Sequence, residues 1–261
     1  MFLALDVGNT HTVLGVLDEE KLFFSCRFST DRNKTSDEYS VMIRELLIMH
    51  HTPPEQISGG IISSVVPSMK AVLRDAIYSV TGRTCMIVGP GVKNGLKIRI
   101  DNPAQLGSDQ VADAVAAIAE YPKPLLVFDM GTATTVSVIN ENTEYIGGMI
   151  MAGALLGLDA LSNRTSQLPE ISFADKVDRL IGSNTVDCMR SGFAFGTAAM
   201  IDGVIDRMQK EFDRKLTVVL TGKTAEMITP YCEREVVLDK NLLLKGLRII
   251  YLKNLHHKGS R

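Results

Sequence analysis

The sequence predicts an α/β protein of two related domains, each a mixed β-sheet flanked by helices. Three observations lead there: an internal repeat, a regular alternation of strand-like and helix-like segments, and enough apolar residues for two cores. The chain has 261 residues, 45% of them apolar and 22% charged. Such a length suits one large domain or two medium ones.

The repeat pairs Leu3-Ala4-Leu5-Asp6-Val7-Gly8-Asn9-Thr10-His11-Thr12-Val13 with Val127-Phe128-Asp129-Met130-Gly131-Thr132-Ala133-Thr134-Thr135-Val136. Both read apolar strand, Asp, apolar residue, Gly, small polar residues with Thr, then a second strand. Asp6 and Asp129 are 123 residues apart, close to half the chain. The segments after the two copies correspond as well. Residues 13–18 and 21–28 are β-type runs, matched by 136–140 and 144–149. In the first half, a helix is predicted over 36–50, with apolar Tyr39, Met42, Ile43, Leu46 and Leu47. A buried strand at 60–65, a helix at 67–80 opened by a proline, and a strand at 84–88 come next. A helix over 108–121 carries Val111, Ala114, Val115 and Ile118 on one side, with Asp113 expected at the surface. In the second half, helices are predicted at 154–165, 185–212, 224–228 and 241–256, with a strand at 216–220. The boundary falls near 116–123, giving domains 1–118 and 119–261.

Charge and cysteine usage narrow the function classes. Lys and Arg total 28 against 30 Asp and Glu, a formal charge of −2. No basic surplus invites nucleic acid, so no nucleic-acid partner is expected. Cys26, Cys85, Cys188 and Cys232 form neither a CxxC pair nor a Cys/His ladder. Four reduced thiols are expected rather than a zinc site or a disulfide framework. The longest uncharged stretches, 56–69 and 145–158, fall short of the roughly 18–20 residues of a membrane span. Met1 leads straight into Phe2-Leu3-Ala4-Leu5 without a basic leader. A soluble, cytoplasmic protein without membrane contact is the expectation.

The two Asp-x-Gly turns point to phosphate chemistry. Gly permits a positive φ and a close approach to the backbone. Successive N–H groups in such a turn form a concavity for an anion. The hydroxyls of Thr10, Thr12, Thr132 and Thr134 add neutral donors. Asp6 can hold Mg²⁺, directly or through water, and so offset phosphate charge. Two such turns facing one another would clamp phosphates. Other nucleotide signatures are incomplete. Gly222-Lys223-Thr224 resembles the end of a P-loop, but Thr217 stands where the leading Gly belongs. A third constellation, Asn102-Pro103-Ala104-Gln105-Leu106-Gly107-Ser108-Asp109-Gln110, turns into a helix with Asp109 in its first turn, where the dipole favours a carboxylate.

Asp6-x-Gly8-Asn9-Thr10, Gly107-x-Asp109 and Asp129-x-Gly131-Thr132-Ala133-Thr134-Thr135, in this order and spacing, resemble the type III pantothenate kinases. So do Ser63-Ser64-Val65-Val66-Pro67, Gly147-Gly148, Gly182-x-Asn184-Thr185 and Leu243-x-Lys245-Gly246-Leu247. The likeness runs over nearly the whole chain. It implies two actin-like (ribonuclease H-like) domains with the active site in the cleft between them. It also implies ATP-dependent phosphorylation of pantothenate to 4′-phosphopantothenate, the first step of coenzyme A synthesis.

By the resemblance, Asp6, Val7, Gly8, Asn9, Thr10, His11, Thr12 and Val13 form the ATP phosphate loop, with Asp6 governing Mg²⁺. Thr132 also contacts ATP. Asp109 is the base, and Asp129 binds K⁺ or NH₄⁺. Ile100, Gly107, Ser108, Asp109 and Gln110 line the pantothenate pocket. Thr185 reaches the substrate of the neighbouring subunit in a homodimer with shared sites.

The chain departs from the family pattern in several places. The common Gly-Ala-Asp-Arg is Gly107-Ser108-Asp109-Gln110, so a cation toward the pantothenate carboxylate is missing. Ala152-Gly153 replaces Pro-Gly, Thr221-Gly222-Lys223 replaces Thr-Gly-Gly, and Ile100 stands where many relatives have Tyr. Two alternatives stay open. One is a related phosphotransferase with a different small-molecule acceptor. The other is a non-enzymatic transcription-accessory homologue.

Overall fold

The computed structural model describes residues 1–172 and 176–258. Strands β1 (Phe2–Val7), β2 (His11–Leu17) and β3 (Leu22–Ser29) open the chain. Helix α1 (Ser36–Met49), β4 (Gly60–Ser64), α2 (Met69–Thr81), β5 (Cys85–Ile87), the short β6 (Lys97–Ile98) and α3 (Ser108–Glu120) come after them. Strands β7 (Leu125–Met130), β8 (Ala133–Ile139) and β9 (Glu144–Ala152) start the second half. Helices α4 (Ala154–Arg164) and α5 (Thr185–Ser191), a π-helical segment (Gly192–Gly196) and α6 (Thr197–Gln209) come next. Strand β10 (Thr217–Thr221), α7 (Ala225–Ile228), β11 (Val237–Leu238) and α8 (Leu242–Lys258) complete it.

The duplication read in the sequence is a duplication of sheet topology. One sheet has the order β3-β2-β1-β4-β5, the other β9-β8-β7-β10-β11 with β6 added beside β9. In both, the first three strands form an antiparallel meander and the fourth lies parallel to the first. The central strands are apolar almost throughout, with a half-buried Asp next to the end: FLALDV in β1 and LLVFDM in β7. Strands covered on both faces read as continuous apolar runs.

In the first unit, Leu3, Leu5 and Val7 of β1 pack with Tyr39, Ile43 and Leu47 of α1 and Leu73, Ala76 and Ile77 of α2. The one-turn spacing of the α1 residues makes a single apolar stripe. A capping box starts that helix: the Glu38 N–H donates to Thr35 Oγ1, and the Thr35 N–H donates to the Glu38 carboxylate at 2.8 Å. On the other sheet face, Phe2 and Ala4 pack with Val111, Ala112 and Val115 of α3 and with Leu244, Leu247, Ile250 and Tyr251 of α8. In the second unit, Leu126, Phe128, Met130, Val136 and Val138 form a core with Met189, Phe193, Ile201 and Ile205.

Four expectations are corrected. The chain groups into Met1–Leu96, Asp101–Ala116 and Leu242–Arg261 as one unit, and Lys97–Ile100 with Ala117–Asn241 as the other. The break after Ala116 is near the expected boundary, but 242–261 does not go with the second half. Its apolar face is spent on Phe2, Ala4 and Ile61. Second, the helix expected over 185–212 is interrupted by the π segment between Gly192 and Gly196 and ends at Gln209. Third, β6 and β11 were not expected; two-residue strands are too short for periodicity to reveal. Fourth, Asp113 is only 1% exposed, because residues 111–117 of α3 are covered nearly all round.

Gly246 explains how α8 approaches α3 so closely. A Cβ built there would overlap the Ala112 carbonyl. Gly246→Ala should therefore lower stability by about 1–3 kcal/mol through overpacking, read as a lower melting temperature. An unchanged melt would mean that the two helices separate without cost.

Candidate active site

The first Asp-x-Gly turn stands at the end of a central strand. Asp6 is in register with Val13 of β2 and with Ser63 of β4. The Gly8 N–H donates to the His11 carbonyl at 3.0 Å and closes the turn. Ties to the end of β3 hold it: Thr30 N–H to Thr10 O at 2.9 Å, Thr12 Oγ1 to Thr30 Oγ1 at 2.8 Å, and Arg32 to Asn9 Oδ1 at 2.9 Å. Asn9 and Thr10 are exposed, whereas Val7 and Thr12 are buried. Asp6, Gly8, His11 and Val13 are half-buried. Val7 and Thr12 thus support the turn from behind.

The second turn repeats this plan. Asp129 is in register with Thr135 of β8 and Thr221 of β10. The Gly131 N–H donates to Ala133 O at 3.1 Å, and the Gly153 N–H to Thr132 O at 3.1 Å. Thr132 is exposed and Thr134 fully buried, as Thr10 and Thr12 are. Of the four hydroxyls expected to line the turns, Thr10 and Thr132 therefore face outward and Thr12 and Thr134 inward. The turn glycines also differ from expectation: neither Gly8 nor Gly131 has a positive φ. What Gly8 provides is space, since a Cβ there would sit 3.0 Å from the His11 carbonyl.

Gly222 has a role that the sequence did not reveal. Its φ is +91°, and a Cβ there would lie 2.5 Å from Asp129 Oδ1 and from the Met130 nitrogen. The chain after β10 is thus pressed against the Asp129 carboxylate. Thr224 holds it there through Oγ1 to Met130 O at 2.9 Å. The incomplete P-loop signature is this turn.

Asp109 occupies the first turn of α3. One carboxylate oxygen accepts the Gln110 N–H at 2.8 Å. A Cβ at Gly107 would overlap that oxygen, so glycine makes room for the folded-back carboxylate. Burial pushes the Asp109 pKa above the usual carboxylate range, against the opposing pull of the Gln110 and Asp109 amides. The hydroxyl of Ser108 lies 2.9 Å from that of Ser63 and accepts the Ser64 N–H at 3.0 Å. Asp6, Ser63 and Asp109 therefore lie on adjoining elements of one unit. Ser63 was not recognised as part of this region; two serines closing a buried strand were the available signal.

The remaining expected residues are placed as follows. Gln110 is half-buried on α3. Ile100, half-buried, comes just after β6, whose neighbour Arg99 pairs with Glu144 at 3.1 Å. Thr185 is exposed at the start of α5, which Asn184 caps by accepting the Asp187 N–H at 3.0 Å. Thr185 and Gly153 share the lining of a mostly apolar cavity of about 680 Å³ with Leu158, Met189 and Phe193. Since Gly153 bonds Thr132, the cavity adjoins the second turn.

No group of three or more His, Cys, Asp or Glu suited to a metal exists among the described residues. Asp6 and Asp129 each offer hard oxygen donors without a protein cage. That suits a cation whose other ligands are phosphate oxygens and water. The four cysteines are unpaired, and burial pushes Cys85 up to about 12 and Cys232 to about 11. Such thiols are poor nucleophiles at neutral pH. No helix among the described residues is long and apolar enough to cross a membrane.

The raised Asp109 pKa has a consequence for stability. An acid whose folded pKa exceeds its unfolded value destabilises the fold at pH above both, where it is ionised. That cost begins to shrink as pH falls through the folded pKa and is gone once pH is below the unfolded value. Asp109→Asn should melt higher than the parent at neutral pH, and the difference should close as the pH is lowered. Equal melting temperatures at neutral pH would contradict a burial-raised pKa.

A family model described as type III pantothenate kinase matches residues 2–207. A type III pantothenate kinase of Halalkalibacterium halodurans is 43% identical over 255 residues, covering 98% of this chain and all of the relative. Among solved structures, the activator of the 2-hydroxyisocaproyl-CoA dehydratase from Clostridium difficile with bound ADPNP aligns with a TM-score of 0.60 at 12% identity. That alignment covers 100% of this chain and 98% of the other. A ROK hexokinase from Thermus thermophilus aligns at 0.53 and 14% identity, covering 97% and 99%. The two structures share this fold of paired mixed sheets flanked by helices, the actin-like fold. The ordered Asp-x-Gly turns, the Gly-x-Asp helix start and the full-length similarity together make the chain a member of the type III pantothenate kinase family.

Proposed function

We propose that the protein transfers the γ-phosphoryl group of ATP to the primary hydroxyl of pantothenate, the first step of coenzyme A synthesis. The observation that carries this reading is the Asp109 carboxylate, half-buried at the start of a helix that is tied to β4, the strand paired with the one that ends in the Asp6 turn. Phosphoryl transfer needs in-line placement and charge neutralisation more than covalent chemistry from the protein. Asp109 accepts the hydroxyl proton as the oxygen bonds to phosphorus, and ADP leaves. A raised pKa makes it a better proton acceptor than an ordinary carboxylate.

The residues of 6–13 hold the phosphates, with Asn9 and Thr10 exposed, and Thr132 adds a hydroxyl. Mg²⁺ at Asp6 and K⁺ or NH₄⁺ at Asp129 supply charge neutralisation when bound. Ile100, Gly107, the Ser108 backbone and Gln110 bound the pantothenate pocket, the Ser108 hydroxyl being taken up by Ser63 and Ser64. Thr185 serves the neighbouring subunit of a homodimer. Support for association comes from exposed Ile150, Leu156, Leu161, Leu180 and Ile181, all in the second unit. A cytoplasmic location accords with the pathway assigned.

The test is ATP-dependent phosphorylation of pantothenate by the purified protein with Mg²⁺, in K⁺ and in Na⁺. Product that depends on K⁺ is expected. No product from folded protein that binds ATP would overturn the acceptor assignment. Asp109→Asn should lose about 10²–10⁴-fold in turnover with ATP binding retained; near-parental turnover would remove Asp109 as base. Gln110→Arg should lower the Michaelis constant for pantothenate by adding a cation toward its carboxylate. A constant that does not move would place the carboxylate elsewhere.

A further inference from the structure

We propose that Ser108 is a positioning residue that locks the base-bearing helix onto the strand beside Asp6. The inference rests on the reading of Asp109 as base.

The geometry is specific. Ser108 is the first residue of α3, yet its hydroxyl is not spent on capping its own helix. It bonds Ser63 Oγ at 2.9 Å and accepts the Ser64 N–H at 3.0 Å, reaching a strand more than forty residues back. Both partners are buried, Ser63 completely and Ser64 at 5% exposure. Ser64 is fixed in turn: its Oγ donates to Val66 O at 3.0 Å and accepts the Val66 N–H at 3.1 Å. Ser63 is in parallel register with Asp6.

One continuous path of backbone pairing and hydroxyl bonds therefore runs from the Asp6 strand through Ser63 to Ser108, and from there by one peptide bond to Asp109. Buried hydroxyls keep their partners because losing one leaves a desolvated polar group. The start of α3 is thus held to a single position on β4. Gly107 and the Gln110 amide hold the carboxylate on the same turn. For a reaction governed by placement, a loose base costs turnover rather than substrate binding.

Ser108→Ala should lower kcat about tenfold, with both Michaelis constants within about twofold and the folded fraction unchanged by circular dichroism at the assay temperature. Ser108→Thr, which keeps the hydroxyl, should restore most of kcat. In an Asp109→Asn background, Ser108→Ala should cause no further loss, because the effect passes through Asp109. If Ser108→Ala does not fold, Ser63→Ala cuts one of the two bonds from the strand side and should show a smaller fall in kcat, again with the Michaelis constants unmoved. Parental kcat in the folded single variant would overturn the proposal. So would a further tenfold loss in the Asp109→Asn background, which marks a general structural role. Failure of the underlying reading shows differently, as an Asp109→Asn variant that retains turnover.

Discussion

Most of the site rests on one arrangement, a carboxylate near the end of a buried strand paired on both sides. Strand β1 lies between β2 and β4, and β7 between β8 and β10. A strand so enclosed has little freedom, so Asp6 and Asp129 inherit the rigidity of two complete sheets. Each chain turns directly after its Asp and is closed by a glycine N–H bond. The parallel neighbours end at the same level, with Ser63 beside Asp6 and Thr221 beside Asp129. The residues just beyond those neighbours then shape the two sites differently. Ser64 receives the helix that bears Asp109, whereas Gly222 presses backbone against Asp129.

The duplicated plan also shows how one motif is held in two ways. Thr10 and Thr132 are exposed because they lie in the turns, before β2 and β8 begin, whereas Thr12 and Thr134 lie within those strands and are covered. The covered pair is not equivalent. Thr12 is satisfied by Thr30 at the end of β3. No such tie to a β9 residue holds Thr134 among the described residues, and β9 instead continues to Gly153, whose amide grips Thr132. The first turn is fixed from its own meander and the second from the start of α4.

Asp109 is different in kind. It is not on a strand, and its surroundings are assembled from pieces far apart in sequence. Burial raises its pKa, the helix amides oppose that rise, and Ser108 and Gly107 decide where the carboxylate lies. Asp109 and the Asp6 turn are thereby carried by one unit, and their mutual placement is set within it.

Much of this protein was legible in its sequence. The repeated Asp-x-Gly pattern announced two related sheets, since a buried strand, a tight turn and a second strand are local features with a strong periodic signature. Helices such as α1 were legible from a single apolar stripe. Other features emerge only from the folded chain. Helix α8 joins the first unit because its apolar face fits Phe2, Ala4 and Ile61, a choice no local pattern records. Asp113 is buried because α3 is covered nearly all round, although its charge suggested the surface. Gly222 and Ser63 gain their meaning only when β10 and β4 are laid beside the Asp-bearing strands. Local periodicity specifies an element; contacts between residues remote in the chain specify what that element touches, and those contacts hold the carboxylates in place.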